Sequence, residues 1–144
     1  MDRRTNEKLI MQQVFHEISI KTKGQCLYDF TKETLNWLHK QKIINWILNI
    51  NILHTSASLV IQENADPDVL YDLKNFFDKM VPMDNKLYKH TIEVKDDMPA
   101  HIKSALTNNQ LTLSLKNKKL MLGTWQGLYS VSYTHLTLPT TPYV

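Results

Sequence analysis

The stretch that decides the fold covers residues 44–61 and has the sequence Ile44-Asn45-Trp46-Ile47-Leu48-Asn49-Ile50-Asn51-Ile52-Leu53-His54-Thr55-Ser56-Ala57-Ser58-Leu59-Val60-Ile61. Apolar side chains recur at every second position from Ile44 to Ile52, which is the period of a β-strand. Aliphatic residues also fill several positions between them, which favours a central strand with both faces covered. The pattern allows either one long strand or two strands with a bend near Thr55 and Ser56.

Upstream of this stretch, the apolar period changes along the chain. Residues 14–20 alternate and predict another strand, and Gly24 supplies a turn. Residues 28–42 then show the longer period of an amphipathic helix.

Downstream, Asp66 and Pro67 predict a helix start, since Asp caps free amides and Pro suits the first turn. The Val81-Pro82 pair predicts where this helix ends. Leucines at every second position from Leu111 to Leu115 predict a β-hairpin that turns at Asn117 and Lys118, and residues 123–127 begin a further strand.

A shorter helix is predicted after Asp97, which is interpreted as its N-cap. Ile102, Ala105 and Leu106 are expected to face inward. His101 lies in the first turn, where the positive end of the helix disfavours an imidazolium ion. His101 is therefore expected to be neutral, which is the form that ligates a metal or accepts a proton.

Composition and charge limit the classes of protein to which the chain can belong. The chain of 144 residues is 42% hydrophobic, which predicts one domain with a single core. The net charge of +3 is carried by scattered lysines and does not indicate a nucleic-acid partner. No apolar run reaches the ~20 residues of a membrane span, and the charged first residues are not a secretory signal. A single cysteine, Cys26, excludes an internal disulfide and favours a cytoplasmic location.

Three histidines from separate predicted elements, His54, His90 and His101, form a candidate metal site. Three imidazoles and a water make an open site of the zinc type. A carboxylate, Glu63 or Asp66, can orient an imidazole or add an oxygen ligand. The alternative is that the histidines are structural and hydrogen-bonded within the fold.

Several ordered motifs are similar to those of the YjbQ family, whose members are named secondary thiamine-phosphate synthases. The similarity covers residues 14–129, most of the chain. The matching motifs are His54-Thr55-Ser56-Ala57-Ser58, Glu63-Asn64-Ala65-Asp66-Pro67, Val81-Pro82, His90, Asp97-Met98-Pro99-Ala100-His101-Ile102-Lys103 and Leu122-Gly123-Thr124-Trp125-Gln126-Gly127.

The resemblance implies an α+β fold in which two packed, mainly antiparallel β-sheets form a sandwich with flanking helices. It also implies a cyclic homotrimer with a polar site near the subunit boundaries. The implied activity is a weak, secondary thiamine-phosphate synthase reaction, in which an aminopyrimidine diphosphate is joined to a thiazole phosphate and pyrophosphate is released. The alternative is a non-catalytic homotrimer of unknown physiological role that binds a metal or a small anion.

On this interpretation each motif residue has an expected role. Catalysis is assigned to His54, His101 and Glu63, and a divalent metal, Zn or Mg, is an expected cofactor. Phosphorylated small molecules are the expected partners, because hydroxyls, a lysine and helix amides can hold phosphate oxygens. The predicted substrate-binding residues are Thr55, Ser56, Asn64 and Lys103. The chain contains no Gly-rich phosphate loop and no dense acidic cluster.

The last part of the chain departs from the family pattern. Residues 1–129 are expected to form the YjbQ-like domain, incomplete at its carboxyl end, and residues 130–144 a divergent tail. No charged residue follows Lys119, and the tail resembles translated adapter sequence fused to a truncated reading frame. No function is therefore assigned to His135.

Overall fold

Two β-sheets packed face to face form the centre of the fold, in a computed structural model that describes residues 11–134, 139–140 and 142–143. The elements are β1 (Ile20–Lys21), β2 (Cys26–Asp29), α1 (Thr31–His39), β3 (Trp46–Ile52), β4 (Ala57–Glu63), α2 (Pro67–Met80), a 3-10 turn (Asn85–Leu87), α3 (Asp97–Leu106), β5 (Gln110–Lys116), β6 (Lys119–Leu120), β7 (Gln126–Ser132), β8 (Pro139–Thr140) and β9 (Pro142–Tyr143).

The strands are arranged in two antiparallel sheets and one ribbon. The first sheet has the strand order β6-β5-β3-β9, the second has the order β2-β7-β4, and β1 pairs with β8 in the two-stranded ribbon. This arrangement confirms the α+β class with two packed antiparallel sheets and flanking helices. Trimer formation stays a prediction. Among the described residues, no helix is both long and apolar enough to cross a bilayer.

The stretch at residues 44–61 forms two strands, as the second alternative predicted. The chain bends at Thr55 and Ser56, so that β3 lies in the first sheet and β4 in the second. Leu48 and Ile50 of β3 and Leu59 of β4 then meet in one apolar cluster between the sheets. Full burial of one such side chain contributes about 1.5–3 kcal/mol, so this cluster supplies much of the driving force for packing the sheets.

Two predictions near the amino terminus were wrong in their bounds. The helix expected over residues 28–42 begins only at Thr31, because the preceding segment, Cys26–Asp29, is hydrogen-bonded to β7 as a strand. The strand expected over residues 14–20 is reduced to Ile20–Lys21, the two residues that pair with β8. In both places the pairing partner decides the structure, and that partner lies far away in the sequence.

Helices α2 and α3 lie beside the second sheet. Ala100 of α3 packs there with Val60 and Val131 in a smaller apolar cluster. The inward face predicted for α3 was wrong: Leu106 is 60% exposed, whereas Lys103 is 1% exposed. Lys103 tolerates burial because its ammonium group forms an ion pair with Asp78 of α2.

Helix α2 begins as its sequence predicted. The Asp66 carboxylate accepts a hydrogen bond from the Asp68 backbone N–H at 2.9 Å, and Pro67 occupies the first helical position. No residue of α2 is fully buried, although the helix has an apolar face, so α2 packs only loosely against the rest of the fold.

Replacement of Asp66 by Ala is expected to lower the free energy of unfolding by about 1 kcal/mol, because a capped amide at the start of α2 loses its acceptor. Urea denaturation measures this loss, and Asp72→Ala is the control because Asp72 is exposed on the same helix away from its start. Equal unfolding midpoints for the two variants would contradict the capping role.

The carboxyl-terminal strands follow the predicted hairpin. Asn117 and Lys118 have φ values of 51° and 62°, the positive values that a two-residue turn of type I′ requires. Strand β7 then continues through Ser132, where it pairs with Ala57 of β4 and Cys26 of β2. Residues 130–132, which were assigned to the divergent tail, therefore belong to the central strand of the second sheet. His135 lies outside the described residues.

Candidate functional site

Two histidines converge on one carboxylate at the start of α3. Asp97 and His101 are four residues apart and share a helix face, and His90 approaches from the preceding loop. The Asp97 Oδ2 atom lies 2.6 Å from His90 Nε2 and 3.3 Å from His101 Nε2. One possible ligand atom from each residue lies within 4.8 Å of the other two, a spacing that can hold a metal ion.

Asp97 is not the helix cap that its sequence position predicted. The helix begins at Asp97 itself, and Asp96 occupies the N-cap position without a side-chain cap hydrogen bond. The Asp97 carboxylate is instead turned to the two imidazoles and is almost fully buried. Asp97 therefore contacts the two histidines rather than capping the helix.

The hydrogen bonds of His101 determine which ring nitrogen carries a proton. His101 Nδ1 lies 3.1 Å from the backbone carbonyl oxygen of Thr55, and a carbonyl can only accept a hydrogen bond. Nδ1 therefore carries the proton, and in the neutral ring Nε2 presents a lone pair. A backbone carbonyl that fixes the ring in this way is a common support for a histidine that ligates a metal.

His54 lies beside this cluster in the bend between β3 and β4. Its Nδ1 accepts a hydrogen bond from the Ser56 backbone N–H at 3.0 Å, so neutral His54 carries its proton on Nε2. Burial lowers the pKa of His54, and the neighbouring His101 lowers it further, while Asp97 acts in the opposite direction. His54 is therefore neutral at pH 7 and offers an N–H donor next to the cluster.

The shifted pKa of His54 predicts how stability depends on pH. The unfolded chain has the ordinary histidine pKa of 6.5 and binds this proton more readily than the folded chain does. The contribution of neutral His54 to stability is therefore expected to be present above pH 6.5. It is lost as the pH falls through the lower pKa that His54 has in the folded chain. Melting temperatures measured between pH 7 and pH 5 test this expectation.

The matched variant is His54→Asn, because the Asn carbonyl oxygen can accept the Ser56 N–H bond without titrating. Its melting temperature should fall less on acidification than that of the unmodified chain. His39→Asn, at an exposed position on α1, is the control and should leave the pH dependence unchanged. Parallel curves for the unmodified chain and His54→Asn would contradict the assignment.

The other predicted site residues lie in different places. Ser56 contacts His54 through its backbone N–H and its hydroxyl, and Thr55 contributes its carbonyl oxygen to His101. Glu63 and Asn64 lie at the opposite end of β4, about 20 Å along the strand at its usual rise per residue. There the Asn64 backbone N–H is bonded to the Trp125 carbonyl oxygen.

Lys103 does not face the histidines. Its ammonium group is paired with Asp78 at 2.5 Å and lies 6.0 Å from the centre of the Tyr133 ring. The phosphate-binding role expected for Lys103 therefore lacks the accessible cation that it needs, because a buried and neutralised ammonium group cannot meet a substrate anion.

Asp97 is the residue that the sequence interpretation missed. The predicted ligand set was His54, His90 and His101, whereas the structure groups His90 and His101 with Asp97 and leaves His54 beside them. The signal was present as the four-residue spacing from Asp97 to His101, which places both side chains on one face of a helix.

Comparison with known proteins shows extensive similarity to one family. The family described as "UPF0047 protein YjbQ-like" matches residues 16–136. The chain is 46% identical over 110 residues to "UPF0047 protein sll1880" of Synechocystis, covering 76% of this chain and 75% of that protein. It is 39% identical over 113 residues to "UPF0047 protein YjbQ" of Escherichia coli O157:H7, covering 78% and 81%.

Solved structures show the same fold. An uncharacterized conserved protein of the YjbQ/UPF0047 family from Clostridium acetobutylicum superposes with a TM-score of 0.77 at 28% identity, covering 92% of this chain and 98% of that one. A "YbjQ-like protein of unknown function" from Sulfolobus solfataricus has a TM-score of 0.80 at 20% identity, covering 90% and 93%.

These relatives correct the functional expectation. They are described as proteins of the UPF0047 family, uncharacterized or of unknown function, and none of these names carries a thiamine-phosphate synthase activity. The expected thiamine-phosphate synthase reaction was therefore wrong as an assignment, and the alternative of a non-catalytic metal- or anion-binding homotrimer is equally without support.

Proposed function

Because the chain belongs to the YjbQ-like UPF0047 family, we propose a function from the cluster that its fold assembles: a metal-dependent hydrolase that acts on small polar substrates. His90, Asp97 and His101 hold the metal, and His54 donates a hydrogen bond to the substrate. The proposal starts from the positions of the ring nitrogens around the Asp97 carboxylate.

One observation carries the proposal. His101 Nε2 lies 3.3 Å from the Asp97 Oδ2 atom, and because Nδ1 donates to the Thr55 carbonyl oxygen, the neutral form of the ring directs its Nε2 lone pair at this carboxylate. Two electron-rich atoms at that distance repel each other unless a positive charge lies between or beside them. A proton on Nε2 removes this repulsion, and so does a divalent cation ligated by both atoms and by His90; the three possible ligand atoms within 4.8 Å of one another favour the cation.

The donor set also favours catalysis over a purely structural metal site. Two histidines and one carboxylate are the protein ligands of many catalytic zinc sites, which keep a further position for water or substrate. Structural zinc sites are closed by four protein ligands. Here the side chains of His90 and His101 are 43% and 33% exposed, so a substrate can approach the cluster.

The surrounding residues of the chain prepare the site for hydrolysis. A bound metal ion acts as a Lewis acid that polarises a carbonyl or phosphoryl oxygen and lowers the pKa of water. The Thr55 carbonyl fixes the orientation of the His101 ring, and the Ser56 N–H fixes that of His54. The Nε2–H group of His54 can then donate a hydrogen bond to an oxygen that gains negative charge in the transition state.

Metal removal and replacement test the proposal. Chelator-treated protein is expected to hydrolyse p-nitrophenyl acetate or p-nitrophenyl phosphate no faster than buffer does, and Zn²⁺ or Mn²⁺ is expected to restore turnover. His54→Ala should then lower the rate by about 10²–10³-fold, which is typical of a lost hydrogen-bond donor to an oxygen that gains negative charge, without changing the amount of metal bound.

The same metals added to the His39→Ala variant provide the control, because His39 is exposed on α1. Turnover that survives chelation, or a full rate in His54→Ala, would refute the proposed mechanism. Two histidines and a carboxylate also ligate Fe²⁺ in oxygenases. If none of the added metals supports hydrolysis and the protein binds Fe²⁺ tightly, an oxidation reaction would take the place of hydrolysis as the proposed activity.

A further inference from the structure

A second concave site lies between α2 and the second sheet, away from the histidines. It is a cavity of about 150 Å³ with apolar walls formed by Leu27, Val60, Leu73, Phe77 and Val131. None of His54, His90, Asp97 and His101 lines it. Exposed Cys26 is another lining residue, so the cavity reaches the solvent there.

Of the four hydroxyl-bearing residues that line this cavity, Ser58, Thr107 and Tyr133 form one directed chain of hydrogen bonds. The Thr107 hydroxyl lies 2.8 Å from the Lys103 carbonyl oxygen and 3.4 Å from that of Ser104, and these carbonyls can only accept its single proton. The Tyr133 hydroxyl, 3.0 Å from Thr107 Oγ1, must therefore donate to Thr107.

The direction of the chain of hydrogen bonds ends at the Ser58 hydroxyl oxygen, to which no described residue is seen to donate. Since the proton of Tyr133 is used, Ser58 donates to the Tyr133 hydroxyl at 2.8 Å. Burial raises the pKa of Tyr133 despite its hydrogen bonds to Ser58 and Thr107, so its phenol stays protonated and keeps this role. Ser58, which is 0% exposed, then presents oxygen lone pairs in a buried position but has no proton left to donate.

We propose that this cavity binds a compound with a single aromatic ring and one hydrogen-bond donor, a phenol or an aniline, whose donor meets the Ser58 Oγ atom. The volume fits one ring, since an apolar cavity of about 150 Å³ in another protein binds benzene. The ring has aromatic neighbours on the wall, because Phe77 and Tyr133 lie 6.2 Å apart in an edge-to-face arrangement. This proposal is independent of the proposed hydrolase activity.

Calorimetric titration of the full chain with phenol and with benzene tests the proposal directly. Phenol is expected to bind about tenfold more tightly than benzene, as one additional buried hydrogen bond predicts. In Ser58→Ala the two affinities should become equal within about twofold, because the acceptor is lost while the Tyr133–Thr107 bond is kept.

Two further variants separate cavity binding from adsorption on the surface. Val60→Phe fills the cavity and should abolish binding of both compounds, whereas Ser114→Ala, at an exposed position on β5, should change neither affinity. Equal binding of phenol and benzene by the unmodified chain, no binding of either compound at millimolar concentration, or a phenol preference that persists in Ser58→Ala would each overturn the proposal. The comparison within the unmodified chain decides the matter even if Ser58→Ala fails to fold.

Discussion

Replacement of Asp97 by Asn is expected to weaken Zn²⁺ binding by at least about 100-fold, because even outer-sphere partners of metal ligands contribute 10–100-fold to affinity and Asp97 is a direct ligand in the proposed site. The substitution preserves the size of the side chain but removes its charge. The Asn amide can also donate a hydrogen bond to His101 Nε2, which would occupy the lone pair that the metal needs.

Competition with a chromophoric chelator measures this loss at pH 7.5. Glu93→Gln is the matched control, because Glu93 is an exposed carboxylate in the same loop as His90 and lies outside the cluster. Circular dichroism should show the same helix content in both variants. If Asp97→Asn binds Zn²⁺ with an affinity within about threefold of that of the unmodified chain, the ligand assignment is contradicted, because loss of a true ligand has a far larger effect.

The second large effect is expected at the ion pair between α3 and α2. Replacement of Asp78 by Ala should lower the free energy of unfolding by about 3–5 kcal/mol, because it leaves the buried Lys103 ammonium without a counter-charge. Lys74→Ala is the matched control. Its ammonium lies 3.0 Å from the same carboxylate but is 34% exposed, and such pairs contribute only about 0–1 kcal/mol.

Guanidinium denaturation of the two variants measures the difference. A loss in Asp78→Ala no greater than that in Lys74→Ala would contradict the importance of the buried pair. The double variant Asp78→Asn with Lys103→Met should recover much of the stability, because it removes the buried charge together with its partner.

The same carboxylate predicts an acid-sensitive contribution to stability. Burial acts to raise the pKa of Asp78, but hydrogen bonds from Lys103, Gln25 and Lys74 outweigh it and lower the pKa to about 2. The folded chain therefore holds this proton less tightly than the unfolded chain, whose Asp pKa is 3.8. The stabilisation is present above pH 3.8 and is lost as pH falls towards 2, a dependence that Asp78→Ala should lack.

The sequence predicted those elements whose signals are local. The alternation over residues 44–61 predicted β3 and β4, and the Asp66-Pro67 pair predicted the start of α2. By contrast, Tyr28 and Asp29 were assigned to a helix, because only the pairing of Cys26–Asp29 with β7, about a hundred residues away, makes this segment a strand. Hydrogen bonds to a distant strand leave no mark in the local period.

The candidate site was predictable in part for the same reason. His54, His90 and His101 were all named from the sequence, but their approach depends on how α3 docks on β4, where the Ser104 hydroxyl donates to the Ala57 carbonyl oxygen at 2.7 Å. Asp97 was missed because an Asp at a helix start has a sufficient local explanation as a cap. Lys103 was assigned to phosphate binding, because its burial depends on Asp78, which belongs to another helix and leaves no local signal.

The position of β7 between β2 and β4 has a consequence for synthesis of the chain. These two outer strands do not pair with each other, so the second sheet closes only after residues 126–132 have left the ribosome. Until then, β2 and β4 of a nascent chain lack their partner strand, and long-range pairing of this kind is slow. Production of the protein should therefore depend on chaperones that shield growing chains.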